Sequence, residues 1–510
     1  MRHSRRTVLS AGLGLAGAAL LRTRPARATE ITFADDPFTL GVASGYPEPN
    51  AAVLWTRLAP QPLVPGGGMP ASPVAVEWEV GADEALRTVV RRGTVYATPD
   101  WAHSVHVEVT GLEPARDYWY RFTSGGARSP IARTRTAAAR GTLPNRLTLA
   151  VASCQHFEQG HYAAYRAIAD DAVDVVVHVG DYIYEGRGTS RVRMHDAPEC
   201  HTLEDYRQRY AIYKSDPHLK AAHAASPWMI VSDDHEVAND YAADHSEQDD
   251  PPELFLARRD AAYQAFYEHL PLPRRLVPFG GRQRLYTSRA FGDLAAVFML
   301  DGRQYRSRQA CQPGPYVEPC SELRARERTM LGDRQEQWLG RSLAASGARW
   351  NLLGQQTVLA HFDQSGDGPR AYWDDGWNGY PAARDRLVAT LLERPASNPV
   401  VFGGDIHAFL VNDVQAVAMD HDSRIVATEL VTSSISSVQG QTQETFDLWK
   451  AENPNVRLAR GDYRGYLRVA IAPERLQADL VAVDDVTRAD SPTHVLASFD
   501  VENGKPGVAR

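Results

Sequence analysis

Five apolar stretches of the sequence each end in polar residues of the kinds that bind metal ions. Thiol, phenol, carboxyl, imidazole and amide groups all occur in this set, and proteins hold transition metals and hard cations with these groups. A set of this size at such regular positions predicts a metal-dependent active site. The five polar segments are Ser153-Cys154-Gln155, Gly180-Asp181-Tyr182-Ile183-Tyr184-Glu185, Ser232-Asp233-Asp234-His235-Glu236, Gly354-Gln355-Gln356 and Gly403-Gly404-Asp405-Ile406-His407.

No single member of the set carries this prediction. A lone cysteine is most often a small buried hydrophobe, and a Gly-Asp pair after a strand usually forms a turn. Segment 235–239 begins like the His-Glu-x-x-His zinc motif, but Asn239 stands where the second histidine would be. That segment also follows a strand, so we exclude the motif. The prediction depends on the whole set and its order along the chain.

After about residue 140, short apolar segments alternate with amphipathic ones, as strands and helices do in an α/β domain. The strands are apolar along most of their length, which is typical of a sheet buried on both faces. Such sheets bind ligands beyond the carboxyl ends of their strands, where the polar segments would meet. The predicted strands are Leu147–Ala152, Val173–Val179, Trp228–Val231, Ala295–Leu300, Trp350–Leu353, Val400–Phe402, Tyr466–Ala472 and Ala478–Val483, and the predicted helices are Tyr162–Asp170, Glu253–His269, Arg334–Ala345 and Arg384–Glu393.

Residues 29–140 have a different pattern. Val74–Val80 and Val105–Val109 alternate apolar and polar residues, as half-buried strands do, and Tyr118–Phe122 is a third candidate strand. Turn-forming segments at 65–68 and 124–126 separate such runs. This spacing predicts a small β-sandwich similar to a fibronectin type III module.

The first 28 residues have the composition of an export signal. They hold six arginines and no acidic residue, with an apolar run from Val8 to Leu21 and the small-x-small sequence Ala26-Arg27-Ala28. Ser4–Leu9 also matches a twin-arginine pattern. We therefore predict a twin-arginine signal peptide at residues 1–28, the twin-arginine export machinery as a partner, and a periplasmic or secreted protein.

The composition is that of a globular chain with an acidic surface. The 510 residues include 55 Lys+Arg and 63 Asp+Glu, for a net charge of −8, and without the six arginines of the signal the charge is −14. This length allows roughly two to four domains. The acidic balance argues against a general nucleic-acid binder, and no segment after the signal is long and apolar enough to span a membrane. We expect a monomer.

The polar segments, taken in order, resemble the PhoD-type alkaline phosphatases and phosphodiesterases of the calcineurin-like metallophosphoesterase superfamily. The resemblance covers nearly all of the chain after the signal. It implies an α/β fold, a metallophosphoesterase αββα sandwich at residues 141–510, preceded by a small fibronectin/Ig-like β-sandwich domain at residues 29–140. The segments that carry it are Gly41–Gly45, Val53–Arg57, Ala152–Gln155, Gly180–Glu185, Asp233–Glu236, Leu300–Arg306, Gly354–Gln356 and Gly404–His407.

The resemblance implies two metal ions that share the carboxylate of Asp181. The ligands of the first would be Cys154, Asp181, Tyr184 and His407. Thiolate and phenolate favour a polarising transition metal, and we expect Fe(III). The ligands of the second would be Asp181, Asp234, Asp405 and Gln356, with His361 as the alternative to Gln356. For this all-oxygen set the resemblance implies Ca²⁺, and Mg²⁺ or Mn²⁺ also suit it.

The resemblance also implies the reaction, a metal-assisted in-line displacement at phosphorus by hydroxide generated at the binuclear centre. His235 would lie beside the leaving group, as a phosphate ligand or general acid. Arg303 and Asn239 would contact phosphate oxygens. For Arg303, a structural ion pair with a neighbouring aspartate is an equal alternative.

Three other functions remain as alternatives. The same metal centre could serve a phospholipase D-like phosphodiesterase, a choice made by the pocket walls, for which the candidates are Gly186–Thr202, Asp240–Pro252 and Gln309–Arg328. A non-catalytic carbohydrate- or surface-binding protein would be expected to have lost one of the metal ligands, and none is lost. A cysteine hydrolase using Cys154 and His407 lacks a motif of its own.

The three cysteines outside the predicted metal site leave their pairing open. In an oxidising compartment, Cys311 and Cys320 could close a short disulfide loop, which would leave Cys200 free. Pairings that involve Cys200 are the alternative.

Overall fold

The computed structural model describes residues 31–188, 191–311, 316–317, 320–366, 368–393 and 396–509. The predicted signal peptide at residues 1–28 lies outside the described residues. Among the described helices, none has the length and apolar character needed to cross a membrane.

The described residues form strands and helices in the following order. The strands are β1 (Val42–Glu48), β2 (Ala51–Arg57), β3 (Val74–Gly81), β4 (Val89–Ala97), β5 (Ser104–Thr110), β6 (Asp117–Ser124), β7 (Ala127–Arg128), β8 (Ala132–Arg135), β9 (Leu147–Ala152), β10 (Val175–His178), β11 (Pro227–Ile230), β12 (Thr287–Phe291), β13 (Ala295–Met299), β14 (Tyr316–Val317), β15 (Trp350–Gly354), β16 (Tyr372–Trp373), β17 (Pro399–Gly403), β18 (Phe409–Gln415), β19 (Ile425–Val431), β20 (Val456–Arg460), β21 (Arg464–Ile471), β22 (Arg475–Val483), β23 (Thr493–Glu502) and β24 (Lys505–Ala509). The helices are α1 (Ala163–Asp171), α2 (Leu203–Lys214), α3 (Pro217–Ala225), α4 (Pro252–His269), α5 (Gly332–Ala344), α6 (Pro381–Glu393) and α7 (Gln443–Glu452).

Two large sheets form the centre of the fold. The ten-stranded sheet has the order β24-β23-β22-β21-β9-β10-β11-β1-β2-β5, and the seven-stranded sheet has the order β12-β13-β15-β17-β19-β18-β20. Parallel pairing joins β9, β10 and β11 in the first sheet and β13, β15, β17 and β19 in the second. These parallel strands carry the polar segments at their carboxyl ends.

The sheets pack face to face with helices on their outer surfaces. Val177 on β10, Leu352 on β15 and Phe402 on β17 share one core between the sheets. The next residue of β15, Leu353, points the other way into a second core with α5 and α6, because side chains alternate along a strand. Residues of α1 and α3 join the first core. The predicted α/β sandwich is confirmed.

The N-terminal strands extend the first sheet. Strand β1 pairs in parallel with β11, matching Gly45 with Trp228, and β2 and β5 continue outward from it. A side chain at Gly45 would lie 2.6 Å from the carbonyl oxygen of Pro271 and 2.7 Å from that of Trp228, so this approach requires glycine. A separate sheet, β4-β3-β6-β7 with β8 beside β6, covers β1, β2 and β5. The boundary predicted at residue 140 falls between β8 and β9.

The structure joins one pair of cysteines. Cys311 and Cys320 form a disulfide, and Cys154 and Cys200 are free and buried. This is the first of the pairings considered from the sequence.

Candidate metal centre

The carboxyl ends of β9, β10, β11 and β17 meet at one edge of the sandwich. The chain turns sharply there, and four residues adopt left-handed backbone conformations: Cys154 (φ 58°), Asp181 (φ 57°), Asp405 (φ 65°) and His407 (φ 54°). Residues other than glycine seldom adopt this conformation, and those that do are concentrated at functional sites. The turns therefore bring all four side chains to the same crevice.

One group of side chains has the composition expected for the first metal. The ligand atoms of Cys154, Asp181 and His407 all lie within 4.8 Å of one another. The phenol oxygen of Tyr184 is 2.9 Å from Asp181 Oδ2 and 3.1 Å from His407 Nε2. The structure thus brings together the four side chains predicted for this site.

The imidazole of His407 is held in the form that a metal ligand needs. Its Nδ1 is 2.8 Å from the carbonyl oxygen of Val438, which assigns the ring proton to Nδ1 and leaves the lone pair of Nε2 toward Tyr184. Burial, reinforced by the positive charge of Arg464, lowers the pKa of His407 to about 3. The ring is neutral at neutral pH and can donate its lone pair.

The thiol of Cys154 and the phenol of Tyr184 lie in surroundings that disfavour their negatively charged forms. Burial, and after it the carboxylate of Asp181, raises the pKa of both Cys154 and Tyr184 well above the usual range. Asp181 Oδ1 is buried and has no hydrogen-bond partner among the described residues. A buried polar atom without a partner is costly, and a bound cation would relieve this cost. The donor set of sulfur, phenol oxygen, carboxylate and imidazole fits a transition metal such as Fe(III).

A second group of side chains offers only oxygen atoms. Carboxylate oxygens of Asp181, Asp233 and Asp234 lie within 4.8 Å of one another. Burial, with the repulsion between neighbouring carboxylates, raises the pKa of Asp181 and Asp405 well above the usual range, and that of Asp233 to about 7. Crowded buried carboxylates fit a hard cation such as Ca²⁺, Mg²⁺ or Mn²⁺. Asp233, which the sequence analysis did not assign as a ligand, belongs to this group.

Gln356 does not join this set, which corrects the ligand prediction. Its Oε1 accepts a hydrogen bond from the backbone N–H of Gly302 at 3.1 Å, and its Nε2 donates to the carbonyl oxygens of Ser232 and Leu300 at 2.8 and 2.9 Å. The amide of Gln356 therefore links the ends of β11, β13 and β15 by hydrogen bonds. The alternative residue, His361, has its Nε2 3.2 Å from the hydroxyl of Tyr372 and does not line the cleft described below.

Arg303 lies beneath the carboxylates instead of facing a substrate. It is 0% exposed, and its guanidinium forms ion pairs with Asp233 and Asp375. Its Nη2 is also 3.2 Å from one oxygen each of Asp234 and Asp405. The predicted contact with phosphate is therefore corrected, and the ion pair is the alternative that the geometry supports.

His235 and Asn239 line the open side of the centre. Nδ1 of His235 is 2.7 Å from Glu185 Oε2. Burial alone would lower the pKa of His235, but the carboxylates of Glu185, Asp181 and Asp234 outweigh it and raise the pKa well above the usual range. Before any cation binds to these carboxylates, the imidazole therefore carries a proton at neutral pH. Asn239 donates its backbone N–H to Glu185 Oε1 at 2.7 Å.

Two glutamates organise the site without having been assigned a role from the sequence. The carboxylate of Glu236 accepts hydrogen bonds from the backbone N–H groups of Asp181, Tyr182 and Asp233 at 3.0, 2.7 and 2.8 Å. It thus fixes the turns after β10 and β11 relative to each other, as Glu185 fixes His235. Both glutamates belong to the polar segments that follow predicted strands, and this position in the sequence could have indicated their role.

A cleft of about 220 Å³ opens over the metal-binding side chains. Its described lining holds carboxylates, amides and the aromatic rings of Phe362, Trp373 and Trp449, and it includes no lysine or arginine. Of the predicted wall segments, 240–252 contributes Asp240, while 186–202 and 309–328 contribute no described lining residue. The walls come instead from 357–378, 405–407 and 439–449.

Comparison with known proteins gives a consistent result. Residues 149–480 match the profile of the family described as PhoD-like phosphatase, and residues 23–138 match that of the PhoD-like phosphatase N-terminal domain. Alkaline phosphatase D of Bacillus subtilis (strain 168) is 43% identical over 486 residues, which cover 94% of this chain and 83% of that protein. A solved structure described as the structure of PhoD superposes with a TM-score of 0.90 at 43% identity, covering 94% of this chain and 93% of that chain.

Proposed function

This chain belongs to the PhoD-like phosphatase family and is a metal-dependent phosphoester hydrolase, and from that premise we propose that it acts through two cations that share Asp181. One observation carries this proposal. A sulfur, oxygen and nitrogen donor set and an all-oxygen donor set lie side by side, with Asp181 in both. Two-metal hydrolases need such a bridging ligand, because it holds the two cations close enough to act on one phosphorus.

We assign the first cation as Fe(III), held by Cys154, Asp181, Tyr184 and His407. We assign the second as Ca²⁺, held by Asp181, Asp234 and Asp405, with Asp233 beside it. The thiolate and phenolate support the first assignment, and the absence of nitrogen or sulfur from the described carboxylate group supports the second. When bound, the cations would acidify water and neutralise charge on the phosphoryl oxygens.

The chain's own residues would supply proton transfer and alignment. Glu185 holds His235 by Nδ1, so the protonated imidazole has Nε2 available to donate a proton to the departing oxygen. Glu236 keeps Asp181 and Asp233 in register by their backbone N–H groups. The aromatic rings of the cleft would pack against the organic part of the substrate and exclude water.

The charges of the cleft favour diesters over monoesters. A phosphodiester carries one negative charge and two organic groups, whereas a monoester carries up to two charges and one organic group. The described lining offers carboxylates, aromatic rings and the protonated imidazole of His235, but no lysine or arginine to balance an additional negative charge. Phospholipase D-like cleavage of a phospholipid is the case in which one organic group is a lipid.

The proposal is tested by comparing substrates in alkaline buffer. We expect hydrolysis of both p-nitrophenyl phosphate and bis(p-nitrophenyl) phosphate, with the higher kcat/KM for the diester, and loss of both activities after strong chelation. Phosphatidylcholine tests the lipid case. Full activity after complete removal of metal would contradict the two-cation mechanism, and a higher kcat/KM for the monoester would contradict the diester preference.

We also propose the export and the domain division predicted from the sequence. The arginine pair and apolar run of residues 1–28 support twin-arginine export, a route that carries folded proteins. The predicted boundary at residue 140 separates an N-terminal part that supplies β1–β8 from the part that carries the metal-binding residues.

A further inference from the structure

A serine-rich loop, residues 432–438, lies directly beneath the proposed Fe(III) site. It follows β19 and contains four serines, Ser433, Ser434, Ser436 and Ser437, all fully buried. Fully buried serines are uncommon, since each hydroxyl must find a partner inside the protein. The metal centre described above uses only the carbonyl oxygen of Val438 from this loop, so the serine hydroxyl groups need another explanation.

The loop contacts three of the four proposed ligands of the first cation. The backbone N–H groups of Ser436 and Ser437 donate to the carbonyl oxygen of Cys154 at 3.4 and 3.3 Å. The carbonyl oxygen of Val438 accepts from His407 Nδ1 at 2.8 Å. The hydroxyl of Ser437 is 2.8 Å from the phenol oxygen of Tyr184.

Ser437 is the member of the loop that touches a ligand atom. Its Oγ accepts the backbone N–H of His156 at 3.1 Å and lies 2.8 Å from both the carbonyl oxygen of Cys154 and the phenol oxygen of Tyr184. The Ser437 hydroxyl has one proton, so it donates to one of these two oxygens at a time. Once Tyr184 binds a cation as the phenolate, it has no proton of its own to donate to Asp181. Its charged oxygen is then a stronger acceptor for the Ser437 proton than the carbonyl oxygen of Cys154.

Two histidine rings pack against the ring of Tyr184. The ring of His156 lies 4.4 Å from it and the ring of His235 lies 4.2 Å from it, measured between ring centres. With the ring so confined, the phenol oxygen stays between Asp181, His407 and Ser437. The contact with Ser437 is therefore a stable feature of the site.

Arg464 holds the loop and brings a buried positive charge close to it. Its Nη1 donates to the carbonyl oxygen of Ser437 at 2.9 Å and to Ser434 Oγ at 3.3 Å, and its Nη2 donates to the carbonyl oxygen of Gly461. Among the residues that the structure describes, no carboxylate forms an ion pair with it. Burial lowers its pKa to about 10, so it remains charged at neutral pH. Asp462, and Cys154 when it is a thiolate, act against burial and raise that pKa.

We propose that Ser437 and Arg464 are positioning residues for the first cation, which rests on the proposed function. Ser437 donates a hydrogen bond to the oxygen of Tyr184 when that oxygen binds the cation. Arg464 fixes Ser437 by its backbone and offsets the negative charge of the bound thiolate and phenolate. Partners of this kind, one step removed from the metal, orient the ligands and raise metal affinity.

The loop supplies a matched pair of variants for the test. Ser437→Ala removes the hydroxyl that faces Tyr184. Ser436→Ala removes an equally buried hydroxyl of the same loop, which donates to the carbonyl oxygen of His156 at 2.9 Å and contacts no proposed ligand side chain. Both variants are measured as the metal-loaded full chain, after thermal unfolding has shown that each is folded.

The absorption spectrum and the rate of metal loss to a chelator are the two measurements. Ser437→Ala should shift the tyrosinate-to-Fe(III) band to longer wavelength, because a phenolate without its hydrogen bond donates charge more easily. It should also lose metal about tenfold faster than the wild type. Arg464→Lys keeps the positive charge but loses the hydrogen bonds of the planar guanidinium. It should shift the band and speed the loss of metal in the same directions as Ser437→Ala. Ser436→Ala should match the wild type.

The outcomes separate this inference from the proposed function. If the wild type holds a metal other than iron, the Fe(III) assignment fails, and the rates of metal loss still test the role of Ser437. If Ser437→Ala loses its metal no faster than Ser436→Ala, the positioning role is wrong, whatever the metal. An unchanged band in iron-loaded Ser437→Ala would contradict the role as well.

Discussion

Replacement of Asp181 by alanine is expected to lower kcat for phosphodiester hydrolysis by more than about a thousandfold. Asp181 belongs to both groups of metal-binding side chains, so its loss weakens both cation sites at once. The remaining side chains cannot take over its role, because each lies in only one of the two groups. The measurement is kcat with bis(p-nitrophenyl) phosphate, together with the metal content of the variant.

Asp181→Asn separates catalysis from folding at the same position. The amide keeps the shape and loses the charge, so the variant should also be inactive. After chelation it should be more stable than the chelated wild type, because Asp181 Oδ1 is buried without a partner and neighbouring carboxylates repel it. The exposed Asp490→Ala variant is the control and should match the wild type. Full activity in either Asp181 variant would contradict the site assignment.

Replacement of Arg303 by methionine is expected to lower the free energy of unfolding of the chelated protein by about 3–5 kcal/mol. Arg303 is a buried cation among the carboxylates of Asp233, Asp234, Asp375 and Asp405. Methionine fills a similar volume but leaves those carboxylates without a positive partner. Reversible urea unfolding of the variant and the wild type gives the difference.

Arg468→Met is the matched control for this change. Arg468 also pairs with two carboxylates, Asp171 at 3.2 Å and Asp479 at 3.0 Å, but its side chain is 37% exposed. Surface pairs contribute little, so the loss should stay below about 1 kcal/mol. Equal effects of the two substitutions would show that Arg303 does not have the structural role assigned to it.

The metal-binding edge of the fold could be predicted because its residues follow apolar strands in the sequence. Cys154, Asp181, Asp234, Asp405 and His407 each come within five residues of the end of a predicted strand, and the parallel arrangement of the strands brings such positions together. The same logic failed for Gln356. An amide after a strand can bind a metal or the neighbouring backbone, and only the positions of Gly302, Ser232 and Leu300 decide between the two.

Contacts between distant segments explain what the sequence did not reveal. Ser437 meets Tyr184 across 253 positions of the chain, and serine is ordinary in any loop, so nothing local marks it. The continuation of the first sheet into the N-terminal strands depends in the same way on the pairing of Gly45 with Trp228.

Helix α2 was missed in the sequence for a local reason: it buries tyrosine and arginine instead of a regular apolar stripe.

The proposed cations also account for the charge of the protein. Without the predicted signal the chain carries a net charge of −14, and the described lining of its cleft has no lysine or arginine. An anionic phosphate ester would be repelled from such a surface. Cations bound to the buried carboxylates would supply the positive charge that attracts the substrate, so substrate binding itself should depend on the metals.

Elemental analysis of the purified wild-type protein tests the central claim most directly. The account predicts about one iron and at least about one calcium for each chain, because one donor set contains thiolate and phenolate and the other contains only oxygen. Zinc in place of iron, with no calcium retained, would contradict the assignment of the two cations.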